Sequence, residues 1–207
     1  MREIFLSSSF ADVTDLFVKF SGGNHEGQRV TFIPTASLTE EVTFYVRAGR
    51  EALEKLGLIV DELEISTATS EEIESRLENN DYIYITGGNT FFLLQELKRT
   101  GSDKLITDLI KSGKKYIGES AGSIILSRNI EYVKGMDDFS AAPKIGSFSS
   151  LGLVEFYPVP HYTNFPFKES VERIISSYED ELDLLPISNT QAIIVNDNEY
   201  EVWTREN

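Results

Sequence analysis

The sequence contains no cysteine. Disulfides, thiolate nucleophiles and cysteine-held zinc or iron–sulfur centres are excluded together, so any nucleophile must be an oxygen or an amine. Histidine is nearly missing as well: His25 and His161 stand alone, far apart and with no H-E-x-x-H pair, so no metal or cofactor is expected. Basic residues are outnumbered, 19 Lys and Arg against 34 Asp and Glu, and the formal net charge of -15 makes a surface field that repels polyanions. Nucleic acid is therefore not an expected partner. No apolar run reaches the length of a membrane span, and the opening stretch to Leu6 turns polar at Ser7, too soon for a signal peptide; a cytoplasmic protein without membrane contact is expected. Repeats, low-complexity tracts and linkers are also lacking, which makes residues 1–207 a single expected domain, acting as a monomer or a homodimer.

What is present is ordinary globular material, 41% hydrophobic and 26% charged, enough for one buried core in a chain of 207 residues. Short β-branched and aliphatic runs alternate with helical periodicity, the pattern of a parallel sheet covered by helices. Strands are expected at Glu3 to Leu6, Val30 to Ile33, Leu58 to Leu63, Tyr82 to Thr86 and Lys115 to Gly118, then at Ile130 to Val133 and Val154 to Val159. Helices are expected at Glu40 to Leu56, Glu71 to Leu77, Thr90 to Lys98 and Phe167 to Tyr178. Ala192 to Val195 and Tyr200 to Thr204, joined by Asn196-Asp-Asn-Glu199, read as a C-terminal β-hairpin. The fold class is α/β, a three-layer sandwich on a parallel sheet.

The sharpest local feature is Gly118-Glu-Ser-Ala-Gly122, a G-x-S-x-G run at the end of a predicted strand and the start of a helix. A nucleophile elbow needs small residues two before and two after the serine, because the turn is tight and the backbone passes close to its neighbours. Without that role Ser120 would be a helix cap in an ordinary βα turn. Of the two histidines, His25 lies in a polar loop and is expected to be solvated, whereas His161 follows Glu155-Phe-Tyr-Pro-Val-Pro160 and should emerge where a strand ends. His161 is the better candidate base. A second glycine run, Thr86-Gly-Gly-Asn-Thr90, also joins strand to helix, and its N–H groups could form half of an oxyanion hole completed by the N–H of Ala121. The irregular stretch Asp137 to Ser150 is a candidate pocket wall.

Three blocks, Thr86-Gly-Gly-Asn-Thr-Phe-Phe-Leu-Leu94, Gly118-Glu-Ser-Ala-Gly122 and Pro160-His-Tyr-Thr-Asn164, stand in the order and at the approximate spacing of the signature segments of the peptidase E family of serine dipeptidases, which the chain resembles over most of its length. The resemblance implies a class I glutamine-amidotransferase-like (flavodoxin-like) fold and hydrolysis of a small peptide substrate, a dipeptide with N-terminal aspartate; cyanophycinases are relatives. It implies Ser120 as nucleophile, His161 as base, Gly88 and Ala121 as oxyanion donors and Asn89 near the substrate. Where the family generally carries Glu or Asp as the third catalytic residue, this chain has Asn189. An asparagine can orient His161 but cannot neutralise the imidazolium, which leaves three outcomes: a working Ser-His-Asn enzyme, a nearby carboxylate supplying the charge, or a weakened descendant that binds more than it cleaves. The family's arginine for the substrate aspartate also follows the histidine; here the nearest basic residues are Lys168 and Arg173. An esterase or cyanophycinase-like hydrolase on the same scaffold is the alternative.

Overall fold

The computed structural model describes residues 2–23 and 25–206. The first half of the chain alternates strand and helix: β1 (Glu3–Ser7), α1 (Thr14–Ser21), β2 (Arg29–Ile33), α2 (Phe44–Lys55), β3 (Ile59–Glu62), α3 (Ser70–Asn79), β4 (Tyr82–Ile85), α4 (Thr90–Thr100), α5 (Ser102–Lys111) and β5 (Lys115–Glu119). The second half adds α6 (Ala121–Ile124), β6 (Tyr157–Val159), α7 (Lys168–Tyr178), β7 (Leu184–Pro186), β8 (Gln191–Asn196) and β9 (Glu199–Thr204). Seven strands form one sheet in the order β3-β2-β4-β5-β1-β8-β9, parallel from β3 to β1 and antiparallel at the β8–β9 hairpin; β6 and β7 make a separate parallel pair.

The sheet is apolar on both faces, as a parallel sheet under two helical layers must be. On one face Phe5, Phe17, Phe32, Leu53 and Tyr84 pack beneath α1 and α2; on the other Ile83, Ile85, Leu94, Ile106 and Val171 pack beneath α3 to α7. The three-layer α/β reading and the terminal hairpin therefore hold. All five parallel strands point the same way, so the loops that follow β1, β4 and β5 gather at one edge. That edge is where ligands bind in open α/β sheets.

Departures from the expected elements have identifiable causes. Ile130 to Val133 is not a strand: a 3-10 turn runs over Glu131–Gly135. Asn129 Oδ1 accepts the Glu131 N–H at 2.7 Å, and the buried Tyr132 hydroxyl donates to the Pro158 carbonyl at 2.6 Å, so capping and burial override β propensity. The strand expected from Val154 shortens to Tyr157–Val159, because the Leu153 and Val154 N–H groups both bond to the Leu126 carbonyl instead of a ladder. Helix α2 begins at Phe44 rather than Glu40; residues Thr35–Thr39 form a 3-10 turn and Glu40 is extended. Helices α1 and α5 lie outside the expected set, although Leu105, Ile106, Leu109 and Ile110 carry the helical period.

The glycines of the elbow are fixed by contact. A Cβ on Gly122 would lie 2.2 Å from the Ile85 carbonyl oxygen, and one on Gly118 would lie 2.5 Å from the Gly122 oxygen. Gly122→Ala is accordingly expected to lower stability by about 2 kcal/mol, a fall of roughly 4–8 °C in thermal midpoint for a chain of this size. Gly135→Ala, where a Cβ meets nothing within 4 Å, serves as the control and should leave the midpoint unchanged.

Candidate active site

Ser120 sits between β5 and α6 with φ 49° and ψ -105°, a backbone conformation that a residue with a side chain adopts at a cost of roughly 1–3 kcal/mol. The strain is held in place from both sides. Its N–H donates to the Ser7 carbonyl at 2.9 Å, and its own carbonyl accepts from the Ser123 and Ile124 N–H groups, starting the short helix. The single Ser123 hydroxyl proton is shared between the Ser7 carbonyl at 2.8 Å and the Gly118 carbonyl at 2.9 Å, pinning the turn to β1. The result lifts the Ser120 side chain out of the sheet edge, where it remains half-buried.

His161 arrives from β6, with φ 65°. Its N–H donates to Ser8 Oγ at 2.9 Å, and that hydroxyl donates to the Ile187 carbonyl at 3.0 Å, so one serine after β1 ties both strands of the small β6–β7 sheet, at their common end, to the main one. Asn189 follows β7 and is held by its N–H donating to Asn164 Oδ1 at 2.9 Å. The three side chains meet. His161 Nδ1 lies 2.9 Å from Asn189 Oδ1, and His161 Nε2 lies 2.9 Å from Ser120 Oγ. Because the asparagine presents its oxygen, Nδ1 carries the proton, and Nε2 is left as an acceptor for the Ser120 hydroxyl. Phe167 stacks on the imidazole, ring centroids 4.5 Å apart and planes 22° from parallel. Burial, partly opposed by the Asn189 hydrogen bond, pushes the His161 pKa below its usual 6.5, which favours the neutral base.

Ala121 follows Ser120 in the chain, and Gly88 follows Gly87 in the turn after β4. Gly88 has φ 130°, and a Cβ there would lie 2.2 Å from the Ala36 carbonyl oxygen, so only glycine fits the turn. Among the described residues neither the Gly88 nor the Ala121 N–H has a hydrogen-bond acceptor. A Cβ on the neighbouring Gly87 would lie 3.2 Å from Ser120 Cβ, so the β4 turn passes close beside that serine.

Other expected site residues lie elsewhere or do something else. Asn89 is buried and both ends of its amide are occupied: Oδ1 caps α4 through the Phe92 N–H, and Nδ2 donates to the Asp138 carbonyl. Its role is to fasten the expected pocket wall to the helix, and Asp137 reinforces this by accepting the Thr90 N–H at 2.9 Å. Lys168 and Arg173 are solvent-facing on α7, beside Glu172 and Glu169 of the same helix. His25 is not solvated: only 2% of it is exposed, it stacks on Phe17, and its Nε2 lies 3.0 Å from Ser21 Oγ. Ser8 and Phe167 are site residues that sequence reasoning missed; Asn164 lay inside a block already singled out. An open depression of about 450 Å³ lined by Gln28, Asn80, Tyr82 and Lys115 lies where β2, β4 and β5 begin, away from Ser120.

Comparison with known proteins shows the family and the fold. A family model described as Peptidase family S51 matches residues 4–203. The chain is 54% identical to an uncharacterized peptidase of Listeria monocytogenes over 199 residues, covering 96% of this chain and 97% of that one. It is 55% identical to an uncharacterized peptidase of Pasteurella multocida over 196 residues, 95% of this chain and 94% of the other. Against the peptidase E of Shewanella amazonensis the identity is 33%, over 65% of this chain and 54% of that protein. Among solved structures, a candidate peptidase E from Listeria monocytogenes EGD-e superposes with a TM-score of 0.96 at 52% identity, covering 100% of both chains. A peptidase from an acI-B1 Actinobacterium shares the fold, with a TM-score of 0.70 at 20% identity over 99% of this chain and 88% of that one.

With only two histidines, the electrostatics of the centre can be read directly by proton NMR. Both imidazoles should titrate below 6.5. Asn189→Asp places a carboxylate against Nδ1 and should raise the His161 pKa by roughly 1–3 units while leaving His25 where it was. A His161 titration indifferent to the substitution would mean that another group holds Nδ1.

Proposed function

This chain belongs to peptidase family S51 and is a serine-type peptidase, and we propose that it cleaves short peptides through an acyl-enzyme on Ser120, with His161 as base and Asn189 as the group that orients it. The observation that carries the reading is the pair of 2.9 Å contacts running from a strained serine through one imidazole to an amide oxygen.

In the proposed cycle, Ser120 Oγ attacks the scissile carbonyl as its proton passes to His161 Nε2, and the carbonyl electrons move onto oxygen. The free N–H groups of Gly88 and Ala121 receive that oxyanion, a contribution of about a hundredfold to a thousandfold in turnover for each donor. The tetrahedral adduct collapses as the C–N bond breaks and Nε2 returns the proton to the leaving amine. Water then repeats the sequence on the ester, freeing Ser120 and the carboxylic acid.

Of the three outcomes left open by Asn189, a second carboxylate at the base has no support: burial and Asn189 are what shift His161, and no Asp or Glu among the described residues acts on it. The reading adopted is a working Ser-His-Asn centre whose imidazolium is oriented but not neutralised. Turnover should be correspondingly modest, because the cationic intermediate lacks a charge partner.

Dipeptides with N-terminal aspartate remain the proposed substrates, as the resemblance of the three signature blocks to the peptidase E family implies. Lys168 and Arg173 face solvent and no Lys or Arg among the described residues is buried, and exposed charges contribute only about 1 kcal/mol or less. The preference for aspartate over an uncharged first residue is thus expected to be about tenfold or smaller. No helix among the described residues is long and apolar enough to cross a membrane, and the cytoplasm is the proposed site of action.

A steady-state assay of Asp-X and neutral dipeptides, run beside Ser120→Ala and with a fluorophosphonate probe, tests the proposal. Expected are turnover of the parent, covalent labelling at Ser120, and loss of both in the variant. Folded parent protein that neither labels nor hydrolyses would favour a binding role, and activity surviving in Ser120→Ala would remove the nucleophile assignment.

A further inference from the structure

Glu119 immediately precedes the nucleophile, yet its side chain turns away from it into the core beneath α2 and is only 3% exposed. Oε1 accepts the Phe10 N–H at 3.0 Å and Oε2 accepts the Tyr84 hydroxyl at 2.9 Å. The Gly87 N–H is a third donor acting on the same carboxylate. These donors come from three segments: the loop after β1, strand β4 itself, and the turn that carries Gly88. No Lys or Arg among the described residues pairs with Glu119, and the nearest charge that acts on it, Asp12, is of the same sign.

Such a group is expensive for the fold. A buried carboxylate without a counter-ion is disfavoured, and an apolar residue of similar volume would be easier to accommodate. Burial pushes the Glu119 pKa up to about 7, against the three hydrogen bonds that oppose the shift. Nothing in G-x-S-x-G demands an acid at the position before serine, since the turn needs only its two glycines. The surroundings are nonetheless built around it. Gly49 of α2 leaves room for the Tyr84 hydroxyl, which would lie 2.6 Å from a Cβ there, and Tyr84 is fixed by stacking on Phe32 at 5.1 Å.

We infer that Glu119 is a positioning residue for acyl transfer: by gathering the Phe10, Tyr84 and Gly87 donors it holds the β4 turn, and the Gly88 N–H with it, in register with Ser120 Oγ. The inference rests on the Ser120 acyl-enzyme reading. It acts through backbone placement, since Glu119 faces the opposite side of β5 from the reacting atoms. Ser120 itself hangs from the Ser7 carbonyl, so the strand on one side of β5 fixes the nucleophile while the carboxylate fixes the turn on the other. Displacements of about 1 Å at a reacting centre are enough to reduce rates about a hundredfold.

The test compares Glu119→Gln and Glu119→Ala with the parent for kcat, KM and thermal midpoint, with Ser120→Ala alongside. The glutamine keeps the shape but offers one acceptor oxygen where the carboxylate has two, so the three donors cannot all be held. Expected for Glu119→Gln is a fall in kcat of roughly 10- to 100-fold, KM within threefold of the parent, and a thermal midpoint equal to or above it, because an amide is easier to bury than a charge. Glu119→Ala should lose at least as much kcat. A Glu119→Gln protein whose kcat stays within twofold of the parent overturns the inference. So does a loss of kcat that follows the folded fraction or is matched by an equal rise in KM. Activity persisting in Ser120→Ala would instead strike the acyl-enzyme reading, independently of what Glu119 does.

Discussion

Everything at this site follows from one backbone constraint, the forced turn at Ser120. A side chain at φ 49° is retained only where the surroundings leave no alternative, and here they leave none. The carbonyl of Ile85 closes on Gly122 from β4, Gly122 closes on Gly118, and Ser7 grips the amide of the serine. The strain is thus a product of close packing between neighbouring parallel strands and a helix that must start at once. Relaxing the turn would require β4 and β5 to part, which the buried residues on both faces oppose.

The second half of the site is brought by a different device. His161 and Asn189 lie 28 positions apart, but each follows a strand of the two-stranded β6–β7 sheet, whose register pairs Val159 with Pro186. Parallel pairing sets both residues at the same end of that sheet. The Ser8 hydroxyl then couples the small sheet to the large one, donating to Ile187 and accepting from His161. Two rigid pieces, each with its own ladder, meet at hydrogen bonds between Ser8, His161 and Ser120.

How much of this could be read from the sequence depended on whether a residue's role is set locally. Ser120 stood out because the two glycines that mark the tight turn lie within five residues of chain, even though the contact that requires Gly122 comes from Ile85 on β4. His161 stood out because the chain has only two histidines. Lys168 and Arg173 were singled out by nearness along the chain, which says nothing of the direction in which a helix turns a side chain, and α7 sets both beside its own acids. His25 misled: its polar neighbours gave no hint of the Phe17 ring that covers it. Asn89 looked available for ligand, but the Asp138 carbonyl that occupies its amide is 49 residues away. Ser8 and Phe167 act through contacts fixed only once β1, β6 and α7 are assembled, so no local pattern marks them.

The phenyl face of Phe167 against His161 has a kinetic corollary. A ring on its face and an amide oxygen at Nδ1 hold the imidazole in one orientation. In the proposed cycle, the amine departing from the adduct and the water entering after it would both meet Nε2 in that one orientation. Traffic through the centre would then be ordered by geometry, the first product leaving before the second reactant can be activated.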